Sequence, residues 1–275
     1  MRRIGLVLTV LALAATAPLS VRAQQAQAIP PAQPAAPANE TDKKLDGYLQ
    51  QWEKKMQEIT SLSAKLERNE KDKTFKTEEK YGGFAQYMKV GQGDKAQNLA
   101  LLEMKIAGKQ DIHERIVCTG TFIYQFSPGD QKIYATELPK PKAGQVGQDS
   151  FLTLVFGASS ADLRGRYDLR LSTDAPHPTG EDKFYIYVDV YPKTAGDKAD
   201  FQRAQLVLNK DNFLPRRLWF ETPNKSEILW DITEINDKAK LERKDFDAPK
   251  PPPGWKLVPV DRNSELPPRI IRPNN

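Results

Sequence analysis

The chain reads as an α+β fold in which one antiparallel sheet curves beneath a cover of helices. Three observations predict it. From Phe184 to Trp255 the sequence is a run of amphipathic strands joined by short polar turns, FYIYVDVYP, FQRAQLVLN, PRRLWFETP and SEILWDITEIND. Ahead of the strands stands one long amphipathic helix, and ahead of that a secretory signal. An antiparallel sheet that takes its helices on a single face is an α+β arrangement, and a curved sheet under a helical lid makes a cavity for an apolar guest rather than a catalytic cleft.

The signal has its three regions in order: Arg2 and Arg3, an apolar run from Ile4 to Ala15, and small residues ending Val21-Arg22-Ala23 before Gln24. The apolar run is about a dozen residues, short of the roughly 20 that a spanning helix needs. Cleavage after Ala23 is expected, giving an exported, soluble, periplasmic protein. No Cys lies near that point to carry a lipid. Residues 24–40 are Ala, Pro and Gln with a first charge at Glu40, a linker composition that cannot pack a core. The folded domain is expected over 41–258, and the prolines and scattered charges of 259–275 read as a disordered tail.

Charge and cysteine content exclude several classes. Arg2, Arg3 and Arg22 supply three of the +5 net charges, and Lys and Glu interleave through the body as in LERNEKDKTFKTEEK, so no basic face for a nucleic acid is expected. One cysteine, Cys118, rules out an internal disulfide framework, and the core alone must hold the fold.

Between Asp42 and Thr60, Leu45, Tyr48, Leu49, Trp52, Met56 and Ile59 fall three and four apart and share one helical face, with Thr41 or Asp42 as cap. That stripe suits a helix packed on a core, of which a helix covering a ligand cavity is a special case. The period then changes to two. Leu62, Ala64 and Leu66 alternate with Ser63, Lys65 and Glu67, and Phe75 to Tyr81 returns as the second arm of a hairpin. FAQYMKV resumes after Gly82-Gly83, and two further strands fall at Leu99–Ile106 and Ile112–Cys118. TFIYQF and QKIYATEL flank the turn Ser127-Pro128-Gly129-Asp130. Ser150 to Phe156 is a continuous apolar run read as a short helix, and Ser159 or Ser160 caps a second. The order is a helix, about six strands, short helices and about five strands.

That order, with these residues, resembles the LolA family of periplasmic lipoprotein carriers and the wider set of LolA-like domains. Met56 to Ala64 resembles the family's passage from first helix to first strand. Cys118 to Pro128 is similar to its dGktlWiYdP hairpin, and Ser150 to Gly157 sits where the family has short apolar helices. Phe201 to Val258 follows its closing strands, with Phe246, Pro253, Gly254, Trp255 and Val258 on the last segment. The linker and divergent loops suit a planctomycete branch of such proteins. The resemblance implies an incomplete β-barrel, covered on its concave side by the N-terminal and central helices, whose apolar cavity takes acyl chains of a lipid or lipidated protein without catalysis. The family's arginine latch, in a KRPnlfrW strand, is not carried over, because the chain reads FAQYMKV after Gly83 with no Arg-Pro.

No constellation for catalysis or metal binding stands against this. His113 and His177 have no Cys, His or paired carboxylate at ligand spacing, and exposed loop histidines are expected. Cys118, beside Ile116 and Val117, reads as a buried thiol, and Glu78-Glu79 as solvated carboxylates. No Gly-x-Ser-x-Gly elbow or phosphate-binding glycine loop occurs. The cavity residues expected are Leu49, Trp52, Met56, Phe122, Tyr124, Leu152, Val155, Phe156 and Trp219. No cofactor is expected, and the chain is taken as a monomer making at most peripheral membrane contact. The competing reading is a cell-envelope sensor or scaffold that binds a protein partner through the same fold.

Overall fold

The structure, a computed structural model, describes residues 40–92, 96–138, 159–172 and 182–260, all within one unit of the chain. The expected signal peptide, most of the expected linker, the Ser150–Phe156 run, His177 and the expected tail from 261 lie outside the described residues.

Helix α1 (Glu40–Glu58) opens the domain. Glu40 and Asp42 stand at its positive N-terminal end and Lys55 at its negative end, the arrangement the helix dipole favours. Its buried residues are Leu45, Leu49, Trp52 and Met56, the stripe that the spacing predicts. Six strands follow: β1 (Ser61–Asp72), β2 (Thr77–Val90), β3 (Gln97–Ile106), β4 (Ile112–Cys118), β5 (Phe122–Ser127) and β6 (Lys132–Glu137). After α2 (Ser160–Arg166) come β7 (Tyr167–Leu171), β8 (Tyr185–Pro192), the short α3 (Ala195–Asp200), β9 (Arg203–Asn209), β10 (Pro215–Glu221), β11 (Glu227–Asn236) and β12 (Lys256–Val260). Ser159 caps α2 by accepting from the Asp162 amide, as its sequence signals.

All twelve strands form one sheet in the order β12-β6-β5-β4-β3-β2-β1-β11-β10-β9-β8-β7. The edge strands β12 and β7 pair only inward, with β6 and β8, so the sheet does not close on itself. It is an incomplete barrel with a helical cover, as the resemblance implies. Bulges beside Leu66, Lys105 and Arg217 break the ladders, the usual device for bending a sheet.

Strand alternation assigns the faces. Leu62, Ala64 and Leu66 of β1 stand opposite Tyr87, Ala85 and Gly83 of β2, and this parity faces inward. Leu206, Leu208, Leu218, Phe220, Trp230 and Ile232 continue the inner face on β9 to β11, where it packs against the α1 stripe and Leu163 of α2. Each large side chain so buried contributes about 1.5–3 kcal/mol. Gly83 marks a tight point in this wall. A Cβ there would lie 2.0 Å from the Glu103 carbonyl oxygen and 2.6 Å from the Met104 sulfur, whereas at Gly82 nothing stands within 4 Å.

Two features depart from the sequence reading. The sheet is not wholly antiparallel, because β12 runs parallel to β6. Its cover is not confined to one face either. Beyond β11 the chain crosses the outer face, where Phe246, in a 3-10 turn at Arg243–Phe246, packs on Leu99, Leu101 and Val117, and Trp255 lies 5.8 Å from Phe126. Strands β2 to β5 carry apolar residues at both parities, so both faces need covering, and the strap that covers the outer one delivers β12 in the parallel sense. β12 runs through Val260.

The Gly83 approach gives a direct test. Gly83→Ala is expected to destabilise the fold by at least about 3 kcal/mol, more than ordinary overpacking because backbone must move. Gly82→Ala should stay within about 0.5 kcal/mol of the parent. Urea denaturation of both variants checks the contrast.

Candidate functional site

The inner face has three chemically distinct regions. Under α1 it is hydrocarbon, with Leu49 and Trp52 essentially inaccessible. The helix is held over it by polar ties near its ends. Asp46 pairs with Arg164 of α2, and Glu53 accepts from the Ser160 amide at 3.0 Å and the Ser160 hydroxyl at 2.8 Å. Lys55 reaches Asp237, just beyond β11, at 2.6 Å, and this hydrogen bond holds the Asp237 carboxyl below its usual range.

Around the edge of that region stand half-buried apolar side chains, including Tyr48, Tyr87, Ile106, Ile123 and Phe213. The Tyr87 hydroxyl donates to Asn98 Oδ1 at 2.9 Å, and the Cys118 thiol donates to the Asn98 carbonyl at 3.4 Å. Burial above all, with the nearby Cys118 adding to it, pushes the Tyr87 phenol up to about 12. Burial also pushes the Cys118 thiol up, so no thiolate nucleophile forms there at neutral pH.

The third region is polar and centred on Arg68, which is only 3% exposed. Arg68 occupies an inward position because it continues the Leu62, Ala64, Leu66 alternation. It lies seven residues along β1 from Ser61, about 23 Å from the α1–β1 junction at strand rise. Its guanidinium is sandwiched between the rings of Tyr81, at 4.3 Å, and Trp230, at 4.8 Å. It pairs with Glu70 at 2.9 Å and, reaching past β2 and β3, with Glu114 of β4 at 2.6 Å. The Tyr81 hydroxyl donates to Glu79, and the His113 ring lies 4.7 Å from the Tyr81 ring.

Burial dominates the electrostatics of this cluster. It raises the Glu70 carboxyl, an effect that Arg68 opposes and that Glu114 and Glu79 reinforce. Burial, with the bond to Glu79, also raises the Tyr81 phenol. Burial and the Arg68 charge lower His113, which is therefore neutral near pH 7. The folded chain accordingly takes up a proton on Glu70 at higher pH than the unfolded chain does. Stability from this group is complete below the ordinary carboxylate range and is lost as pH rises through its folded value.

The expected cavity residues do not form one site. Leu49, Trp52 and Met56 lie on the buried α1 stripe against the inner face. Phe122 and Tyr124 have the opposite parity and face outward. With Leu99, Thr119, Thr121, Arg243, Phe246, Asp247 and Ala248 they line an outer groove of ≈ 230 Å³ beside the C-terminal strap. Trp219 also faces outward, between Leu218 and Phe220, which enter the inner core. Leu152, Val155 and Phe156 fall outside the described residues. In β5 and β10 apolar residues run consecutively, so ring size gives no indication of face. His113 stands at the start of β4, one of the two placements its sequence allows, but it is half-buried against Tyr81 rather than exposed. The Arg68 cluster escaped the sequence reading because LERNEKD looks solvated. The signal was parity, which puts Arg68 and Glu70 in line with Leu66.

No family model and no curated protein sequence matches the chain. Among solved structures it is similar to an uncharacterized conserved protein from Thermus thermophilus, at 12% identity over 79% of this chain and 99% of that one, TM-score 0.45. It is similar to a chain of the Pseudomonas aeruginosa MucA/MucB complex at 13% identity, covering 75% of this chain and 61% of the other, TM-score 0.40. A LolA superfamily protein from Nitrosomonas europaea is similar at 12% identity over 74% of this chain and 97% of its own, TM-score 0.34.

Arg68→Met tests the buried cluster. Leaving Glu70 and Glu114 without their cation is expected to cost about 3 kcal/mol at about pH 7.5. The cost should shrink at about pH 5, as Glu70, raised by its burial, takes up a proton. Urea titrations at the two pH values check it, and a cost that grows on acidification would contradict the sign derived above.

Proposed function

We propose that this is an exported, non-catalytic binding protein that holds the acyl chains of a lipid or lipidated protein between α1 and the inner face of the open sheet, and carries them through the periplasm. The observation that carries the reading is the α1 stripe. A helix whose buried residues are Leu45, Leu49, Trp52 and Met56 covers the hydrocarbon face of a sheet that does not close. Among the described residues no helix is long and apolar enough to cross a membrane.

Magnitudes indicate how cargo enters. The four α1 side chains together gain ~6–12 kcal/mol from burial. An acyl chain of about ten methylenes gains ~8 kcal/mol on entering the same environment. These terms are comparable, so cargo competes with the helix for the inner face and displaces it by a partial slide. The polar ties weigh far less, at about 0.2–1 kcal/mol for each exposed pair. They set how readily α1 moves rather than whether the cargo binds.

A second reading, a cell-envelope sensor or scaffold, draws on the outer groove, where Phe122 remains 37% exposed. Native mass spectrometry of the chain from Gln24, purified without detergent from a periplasmic fraction, separates the two. Co-purified or added acyl lipid should appear as a bound mass. A bare mass that also refuses added acyl chains would overturn the carrier and leave the scaffold.

The ties provide a kinetic test. Combining Asp46→Asn with Glu53→Gln is expected to speed uptake of a fluorescent acyl probe roughly fivefold, with little change in melting temperature. Stopped-flow fluorescence measures it.

A further inference from the structure

Trp52 is fully buried on the middle of the α1 stripe, one turn from Leu49 and one from Met56. Its indole nitrogen has no hydrogen-bond acceptor among the described residues. The same condition at Arg68 Nε, Arg203 Nε or Gln205 Oε1 is of a different kind, because Arg68 Nε stands 2.9 Å from a Glu70 carboxylate oxygen and other atoms of Arg203 and Gln205 hold Asp189. Trp52 has a single polar atom, and it points into hydrocarbon. A buried indole N–H usually finds a partner, and Phe or Leu would fill an apolar position without this cost.

We infer that the Trp52 N–H is the donor that receives the ester or amide carbonyl of the acyl cargo. This deepens the lipid-binding reading and rests on it. The group is donor-only, so it selects for an acceptor and gains nothing from a bare hydrocarbon. The buried α1 stripe around it, Leu45, Leu49 and Met56, is uncharged, which disfavours a free carboxylate and leaves a neutral carbonyl as the matching group. A carbonyl held at mid-helix places the start of the acyl chain among Leu45, Leu49 and Met56, where its methylenes replace the contacts that α1 gives up.

The test compares a short-chain diacyl phosphatidylcholine with its diether analogue of equal chain length, offered to the full mature chain and to Trp52→Phe. The parent should bind the ester lipid about five- to tenfold more tightly, the scale of one net hydrogen bond. Trp52→Phe should lose that preference, binding ester and ether lipid equally whatever its affinity for either. In the parent, one of the four indole proton resonances should move downfield with the ester lipid and not with the ether lipid. That readout decides the question even where the variant folds poorly. Equal affinities in the parent, or a preference that survives in Trp52→Phe, would overturn the inference and leave the carrier reading standing. If neither lipid binds, both fall.

Discussion

The contact between α1 and the inner face is the interaction on which the rest of the structure depends. Twelve strands that do not close leave a broad apolar surface, and such a surface is stable in water only when another element covers it. α1 supplies that cover with four side chains on one face, and α2 extends it through Leu163. Remove the helix and the sheet would expose the residues that hold β1, β2 and β7 to β11 around a common interior. The helix is therefore part of the core and, on the carrier reading we propose, the part that cargo would replace.

Arg68 shows why the interior is not uniformly apolar. A guanidinium taken out of water is tolerable only with good partners, and here Glu70, Glu114 and two aromatic rings provide them. The Arg68–Glu114 pair joins β1 to β4 across the inner face, and Gly83 keeps the intervening wall flat enough for Met104 to lie over it. Charge also marks a boundary. The hydrocarbon region under α1 and the Arg68 cluster occupy different parts of one face, so an amphiphile bound as we propose would meet apolar wall in one direction and a polar, pH-sensitive region in the other.

Much of this was legible in the sequence, and what was not has a common cause. The α1 stripe, the β1–β2 hairpin, the Ser127–Asp130 turn and the Ser159 cap follow from local spacing or turn chemistry, which depend on few residues. Which face a side chain takes was readable where one parity is apolar, as in Leu62, Ala64 and Leu66. It was not readable in β5 or β10, where Phe122 to Tyr124 and Leu218 to Phe220 are apolar without interruption. There the face is fixed by pairing with distant strands, as Tyr124 is by Val117 and Trp219 by Leu229. The same long-range register turned Phe122, Tyr124 and Trp219 away from the helix and brought Arg68 inside. The parallel β12 was equally hidden, because nothing local to KLVPV says that the chain has first crossed the outer face.

That crossing gives the two halves of the sheet different mechanical roles. Strands β3 to β6 are held from outside by Phe246, by Trp255 on Phe126 and by the β12 ladder. They form a wall that the strap fixes independently of α1. On the other side, α1 reaches α2 and the end of β11 through side-chain pairs that are each weak in water. An acyl guest of the kind we propose would therefore meet a wall fixed by the strap on one side and a weakly tied helix on the other, and its entry would move the helix rather than the sheet register. Fixing the strands by a strap on the outer face, rather than by filling the inner one, would leave the inner face free to exchange helix contacts for ligand contacts.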